Sequence, residues 1–234
     1  MSATKTRDKG YRGVSMEGGM ARWYANTRRS GDQIAQWRKQ AALLTNGLTD
    51  GADILEVAPG PGYFAIELAR LGRFHVTGLD VSRTFVDIAT TNARQAGVSV
   101  EFRLGNASAM PFAENSFDLI VCQAAFKNFS QPVEALNEMC RVLRPGGTAI
   151  IDDMDKSASN AAIAAEVAPM RLNWFNALFT RRALGWLRKR AYTAAQFQRM
   201  SGESAFSGVD LRRLQRTADS GRVNTRLVCP NYGS

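Results

Sequence analysis

The stretch Ile54-Leu55-Glu56-Val57-Ala58-Pro59-Gly60-Pro61-Gly62-Tyr63 is the one against which the rest of the chain is read. Ile54, Leu55 and Val57 are apolar and partly β-branched, as a buried strand requires, and Pro59, Gly60 and Gly62 then enforce a tight turn. From Phe64 to Gly72, the apolar residues Phe64, Ile66, Leu68 and Leu71 are set among small and polar ones, with Gly72 as a stop. The reading is strand, glycine turn, helix. A second apolar run, Phe74 to Val81, ends in an acid, Asp80. Glycines let a ligand approach the backbone, and an acid about 20 residues further on accepts hydrogen bonds from ribose hydroxyls, so the pattern predicts a nucleotide-type site.

The spacing Glu56-x-x-x-Gly60-x-Gly62 lacks the third glycine of a dinucleotide fingerprint, the nearest small residue being Ala65. An NAD-dependent oxidoreductase is weakened by this and stays open as an alternative. Later segments then point one way. Gly105 to Cys122 (GNASAMPFAENSFDLIVC) and Arg141 to Asp153 (RVLRPGGTAIIDD) follow in order. Together with the first stretch they resemble the motifs of class I (Rossmann-like) S-adenosylmethionine-dependent methyltransferases of the small-molecule type. The resemblance implies an α/β fold. Its doubly wound, seven-stranded, mostly parallel sheet would have an antiparallel last strand, an N-terminal helical cap and a helical insertion after strand 5.

It also implies a cofactor, S-adenosyl-L-methionine, leaving as S-adenosyl-L-homocysteine, with no metal. By resemblance Gly60 and Gly62 admit the methionine end, Glu56 helps orient its amino group, and Asp80 takes the ribose hydroxyls. Asn106 and Ala107 edge the adenine, Gln123 and Ala124 line the reacting side, and Ala58 and Val81 complete the cofactor set. Two residues depart from the family pattern. Asn106 stands where Asp is frequent, keeping a carbonyl acceptor while adding a donor. Ala58-Pro59 replaces a small or cysteine-containing turn and leaves the glycine pair intact.

Candidate catalytic residues are Asp153, at the exit of strand five beside Asp152, and Lys127 and Asn128, just after strand four. An anchoring role in the loops is the equal alternative. The single histidine, His75, lies at the entry of strand two, away from the strand ends where ligands bind, and reads as structural. Trp23 and Tyr24, near the start of the N-terminal helical segment, either face the active site or anchor the helix. Tyr24, Trp174 and Phe175 are the candidate substrate contacts.

At 234 residues and 45% hydrophobic content, the chain buries a full core as one domain with additions. Cys122, Cys140 and Cys229 are far apart in sequence and lack metal-ligand spacing, so they read as idle thiols in a reducing cytosol. No stretch reaches the ~20 apolar residues of a membrane span, and the first ten residues lack an apolar signal core, so a cytoplasmic protein is expected. The net charge of +9 is unevenly placed: 51–159 is net acidic and the flanking segments are basic. That division fits a cationic cofactor in the core and an anionic or lipid-surface partner for the additions, or simply a solvated basic surface.

Four regions follow. Residues 1–50 are a flexible N-terminus, loose to about residue 19, and a helical cap spanning Met20 to Leu48. Residues 51–159 are the cofactor-binding core, 160–192 a helical insertion interrupted at Pro169, and 193–234 the last helix with a terminal hairpin of 209–217 and 222–230. The insertion sets Trp, Phe and Leu beside Arg181, Arg182, Arg188, Lys189 and Arg190. It reads first as the roof of a substrate pocket, then as plain packing, then as a membrane-surface helix. No Asn-Pro-Pro-Tyr type tetrapeptide follows strand four, which argues against amino-group methylation of DNA or protein glutamine. No nucleic-acid-binding module accompanies the basic segments. The expected function is methyl transfer from S-adenosylmethionine to a small, apolar or aromatic acceptor by in-line displacement. A non-catalytic cofactor-binding or regulatory protein is the rival from another class. The sequence leaves the oligomeric state undetermined.

Overall fold

The computed structural model describes residues 10–12, 16–28, 31–167, 174–206, 212–213 and 222–230. Two helices lead the chain, α1 (Gly18–Thr27) and α2 (Gly31–Leu44), where the periodicity predicts one helix over 20–48. The backbone leaves helical geometry at Arg28, and α2 restarts with Asp32 in its first turn, where a negative charge suits the helix dipole. The described residues ahead of α1 bond to the core. Arg12 N–H donates to the Asn128 carbonyl at 2.6 Å, and the Glu17 carboxylate accepts the Arg83 and Thr84 N–H groups at 3.0 and 3.1 Å.

Strand, helix and strand then alternate: β1 (Asp53–Val57), α3 (Tyr63–Ala69), β2 (His75–Asp80), α4 (Arg83–Ala96), β3 (Glu101–Leu104) and β4 (Phe117–Gln123). A 3-10 turn (Phe126–Asn128), α5 (Pro132–Val142) and β5 (Leu143–Met154) follow. The chain continues with α6 (Asn160–Val167), α7 (Trp174–Arg188), α8 (Ala194–Gly202), β6 (Arg212–Arg213) and β7 (Arg222–Val228). Local chemistry explains several boundaries. Ser82 Oγ accepts the Phe85 N–H at 3.1 Å and starts α4, Pro132 sits in the first turn of α5, and Thr193 with Gln196 forms a capping box on α8.

The sheet runs β3-β2-β1-β4-β5-β7-β6. The first five strands are parallel and β7 returns antiparallel against β5. Among the described residues β7 also pairs, antiparallel, with the two-residue β6. The rest of the expected hairpin's first arm, and the break at Pro169, lie outside the described residues. The third strand is also shorter than its alternation suggests, because only Glu101–Leu104 pairs with β2. The fifth is longer. It starts at Leu143 and carries the Pro-Gly-Gly segment as an irregularity between the Phe117 and Leu119 pairings.

Side chains alternate across this sheet into two cores. Leu55, Val57, Ile120, Cys122, Ala149 and Ile151 pack under α5 and α8, while Ile54, Leu119, Val121 and Ile150 pack under α2 and α3. A strand buried on both faces is why the strand segments read as continuous apolar runs, each buried Leu or Ile contributing roughly 1.5–3 kcal/mol. A third, smaller core joins α6 and α7 to the end of β5 through Met154, Ile163, Val167, Leu184 and Ala191. All three cysteines are free and buried. Cys140 and Cys229 nonetheless meet, Sγ to Sγ 3.2 Å, and burial together with that hydrogen bond pushes the Cys140 thiol up to about 12.

From β1 the chain moves outward through β2 and β3, then returns to lay β4 and β5 on the other side of β1. The strand order therefore reverses between β1 and β4. In an open parallel sheet the crevice outside the carboxyl ends of those two strands is where a ligand binds.

Candidate functional site

Both strands at this crevice end on an alanine in the left-handed region, Ala58 at φ 58° and Ala124 at φ 55°. That conformation costs an alanine roughly 1–2 kcal/mol, and the neighbouring strands hold it in place. Ala58 N–H donates to the Leu79 carbonyl at 2.8 Å and Ala124 N–H to the Asp152 carbonyl at 2.7 Å. After Ala58 the turn reaches Gly60 at φ 54°, whose N–H donates to Asp80 Oδ2 at 3.0 Å. A Cβ on Gly60 would meet nothing within 4 Å, so the bare backbone faces open space.

Two cavities of about 480 and 400 Å³ open here. They share Tyr24, Arg28, Ala58, Gly60, Gln123 and Ala124 as a common wall. The larger extends over Glu56 toward α2, where Gln33, Gln36, Trp37 and Gln40 present one polar-aromatic face. The smaller extends over Asp80, Val81 and Ala107 toward α1, the 3-10 turn and α7.

Glu56 is 3% exposed, and its Oε2 has no hydrogen-bond partner. Burial, with the charge of Asp80 adding to it and a backbone N–H at Ala65 opposing it, pushes the Glu56 carboxyl up to about 8. Gln123 Nε2, on the same wall, is also buried without a partner. The site thus holds an orphaned acceptor and an orphaned donor a turn away from an open glycine. Asp80 is raised as well, to about 6, by burial, although its Oδ1 accepts the Ser82 N–H at 2.9 Å and its Oδ2 that of Gly60.

These shifts have a consequence for stability. Between its ordinary value of 4.5 and about 8 the folded chain keeps a proton on Glu56 that the unfolded chain has lost. Asp80 acts in the same direction between 3.8 and about 6. Their contribution is full below these windows and lost as pH rises through them. The cofactor-free protein is therefore expected to melt at progressively lower temperature from about pH 5 to about pH 8, and Glu56→Gln to flatten the upper half of that slope. Equal slopes in both proteins would show that Glu56 does not titrate there.

The predicted residues divide between the two cavities. Glu56 lines the larger and Asp80, Val81 and Ala107 the smaller; Ala58, Gly60, Gln123 and Ala124 line both. Gly62 and Asn106 line neither. Gly62 precedes α3 at φ 78°, and a Cβ there would come within 2.8 Å of the Ala89 Cβ and Phe102 Cζ, so its bareness serves packing. Asn106 Oδ1 accepts the Ser108 N–H at 3.0 Å, a local turn. Tyr24 lines both cavities and meets Phe85 edge-on. Trp174 opens α7 with 79% of its surface exposed and lines neither cavity, and the side chain of Phe175 lies outside the described residues.

Lys127, Asn128 and Asp153 all line the smaller cavity. Lys127 Nζ lies 2.7 Å from Asp153 Oδ1 and also donates to the Ala124 carbonyl. Asp153 further accepts the N–H groups of Lys127 at 2.8 Å and Met154 at 2.7 Å. Three donors on one carboxylate leave it bound up within the protein. His75 lies on the far side, exposed, with Nδ1 3.3 Å from Asp53 Oδ1.

Several lining residues have no local signature. Arg28, whose guanidinium lies 5.2 Å from the Tyr24 ring centroid, stands one helical turn beyond Tyr24, and that i, i+4 spacing is the one signal that finds it. Glu17, which ties the N-terminal segment to the first turn of α4, and Trp186 and Arg190, from the insertion, arrive only by folding.

Residues 55–151 match the family model described as a methyltransferase domain. In shape the chain is similar to a putative S-adenosyl-L-methionine-dependent methyltransferase from Methanococcus maripaludis (TM-score 0.69, 20% identity, 95% of this chain and 97% of that one). It is also similar to a SAM-dependent methyltransferase from Aquifex aeolicus (TM-score 0.66, 16% identity, 88% and 97%). At those identities the likeness concerns the fold. The matched domain runs from within β1 to within β5, spanning the strands that form the switch-point crevice.

In sequence the chain is similar to a demethylmenaquinone methyltransferase from Deinococcus radiodurans, 36% identical over 53% of this chain and 51% of that protein. The ubiquinone/menaquinone biosynthesis C-methyltransferase UbiE from Bdellovibrio bacteriovorus is 34% identical over 49% of each. The chain thus spans about half the length of the curated relatives it matches. Among the described residues no helix is long and apolar enough to cross a membrane, and no cluster of His, Cys, Asp and Glu could hold a metal ion.

Proposed function

We propose that the protein transfers a methyl group from S-adenosylmethionine to a small acceptor with an apolar or aromatic body. The observation that carries this is the pair of orphaned polar atoms, Glu56 Oε2 and Gln123 Nε2, set beside Gly60 and one strand away from Asp80. A buried carboxylate fits an ammonium group, a bare glycine fits a chain laid along the backbone, and an acid at the end of β2 fits a ribose diol. When bound, the cofactor supplies a methyl group on a sulfonium, already activated for in-line displacement.

Glu56 accepts from the amino group and Arg28, on the wall common to both cavities, faces the carboxylate. Asp80 takes the ribose hydroxyls, and Val81 and Ala107 border the adenine, with Asn106 contributing through its local turn. Gln123 and Ala124 flank the reacting centre. The Lys127–Asp153 pair and Asn128 form its floor, holding the Ala124 carbonyl in place and keeping water out. The in-line geometry asks for alignment and dryness before it asks for a base.

In the same reading 51–159 is the cofactor core, α1 and α2 are the cap within 1–50, and α6 and α7 within 160–192 are the lid, with Tyr24 on the acceptor side. Residues 193–234 complete the core, and the edge segment β6 makes the seventh strand. Demethylmenaquinone, in the name of one relative, is a quinone, and the apolar lining of Met154, Leu184, Trp186 and Leu187 suits a flat ring body of that general kind. No metal is needed, nucleic acid is not the substrate, and membrane contact through α7 ranks behind its role as lid. Three free cysteines fit a reducing, cytoplasmic setting.

The test is the melting temperature with S-adenosylmethionine, S-adenosylhomocysteine and NAD in parallel. Both sulfur compounds are expected to raise it, by about 2.7 kcal/mol of stability at a hundredfold excess over Kd, and NAD not to. Stabilisation by NAD alone, or by none of the three, overturns the reading.

A further inference from the structure

The smaller cavity carries charge that the cofactor reading leaves unused. Lys127 and Asp153 cancel each other, and Asp80 and Glu17 are spent on backbone N–H groups at the start of α4 and on the ribose side. Two cations remain at the opposite end. Arg12 comes from the segment ahead of α1 and Arg190 from just past the end of α7; both line the cavity. They are brought together across 178 positions of sequence, Arg190 Nη1 donating to the Arg12 carbonyl at 3.1 Å. The Arg12 guanidinium donates to the Ser130 carbonyl at 3.3 Å, and that of Arg190 lies 4.1 Å from the centroid of the Trp186 ring. Among the described residues neither guanidinium is salt-bridged to a carboxylate. Each has five N–H donors in a fixed fork, so most of that donor capacity is unspent.

Beside them the wall is apolar, built by Trp186, Leu187 and Met154. Both guanidiniums stand at the solvent-open rim of this apolar cavity, and their planar forks match a carboxylate or phosphate. Resting on the methyltransferase reading above, we infer that the acceptor is an amphipathic anion. Its ring or apolar body lies against Trp186 and Leu187, and its carboxylate or phosphate is held between Arg12 and Arg190. The two arginines act in specificity, since they hold the acceptor's far end away from the reacting atoms.

The test uses the full chain saturated with S-adenosylhomocysteine and titrated calorimetrically with 4-hydroxybenzoate, phenyl phosphate and the uncharged 4-hydroxybenzamide. At least one anion is expected to bind on the order of tenfold tighter than the amide, and which anion does so separates carboxylate from phosphate. Arg12→Gln with Arg190→Gln is expected to erase that preference, with S-adenosylhomocysteine affinity as the control for folding. Should the double variant fail that control, Arg190→Gln alone carries the same comparison. Equal binding of amide and anions, no anion binding at millimolar concentration, or a preference that survives the substitutions overturns the inference. So does sedimentation with phosphatidylserine vesicles that the substitutions abolish while probe binding shows no preference, which would make the arginines a surface-docking patch. If S-adenosylhomocysteine itself does not bind the unmodified protein, it is the methyltransferase reading that has failed.

Discussion

Replacing Asp80 with alanine is expected to weaken S-adenosylhomocysteine binding by about a hundredfold or more. Asp80 is 6% exposed, and each carboxylate oxygen already accepts one backbone N–H, Gly60 at 3.0 Å and Ser82 at 2.9 Å. Those contacts orient the group and leave one further acceptor direction on each oxygen, the arrangement a vicinal diol requires. Hydrogen bonds to a charged group contribute roughly 1.5–3 kcal/mol each, so losing two costs about 3 kcal/mol or more. Asp80→Asn, which keeps one acceptor, is expected to fall between alanine and the unmodified protein. Gly60→Arg tests the same pocket from the other side. It places a long side chain in the open space facing Gly60 and forces a non-glycine residue to φ 54°, and is expected to abolish binding. Unchanged calorimetric affinity in both Asp80→Ala and Gly60→Arg would show that the ligand sits elsewhere.

The second large effect concerns folding. Asp153→Ala is expected to destabilise the protein by about 3–5 kcal/mol in chemical denaturation, because it strands the Lys127 ammonium in a site where the lysine is 5% exposed. It also orphans the Lys127 and Met154 N–H groups that Asp153 now accepts. The double substitution Lys127→Met with Asp153→Leu removes both charges and is expected to recover the part of the loss that comes from the stranded ammonium, while the two orphaned N–H groups keep the rest. A loss under about 1 kcal/mol for Asp153→Ala would mean that the pair is hydrated. Asp153 would then be free to act as a base.

Much of the molecule was written locally. The strand, glycine turn and helix around Gly60, the acid at the end of β2, the Ser82 cap on α4 and the Pro132 start of α5 all depend on residues within a few positions of one another. Alternation and spacing express them directly, and so the α/β class and the strand, glycine turn and helix at the switch point could be read from the chain. Gly62 shows the limit of such reading. It belongs to the same motif as Gly60, yet its missing side chain makes room for Ala89 and Phe102, contributed by α4 and β3.

Other contacts join residues far apart in the chain. Lys127 finds Asp153 because β4 and β5 lie side by side, Cys140 finds Cys229 because β7 folds back onto the sheet, and Glu17 finds α4 because the N-terminal segment crosses it. Arg12 and Arg190 meet from nearly opposite ends of the chain. Periodicity decides which residues are apolar and which face they share. The crossing of segments decides which charged groups are neutralised and which are left over, because a Coulomb or hydrogen-bond partner is set by distance in space, and distance in space between remote residues has no counterpart in sequence spacing.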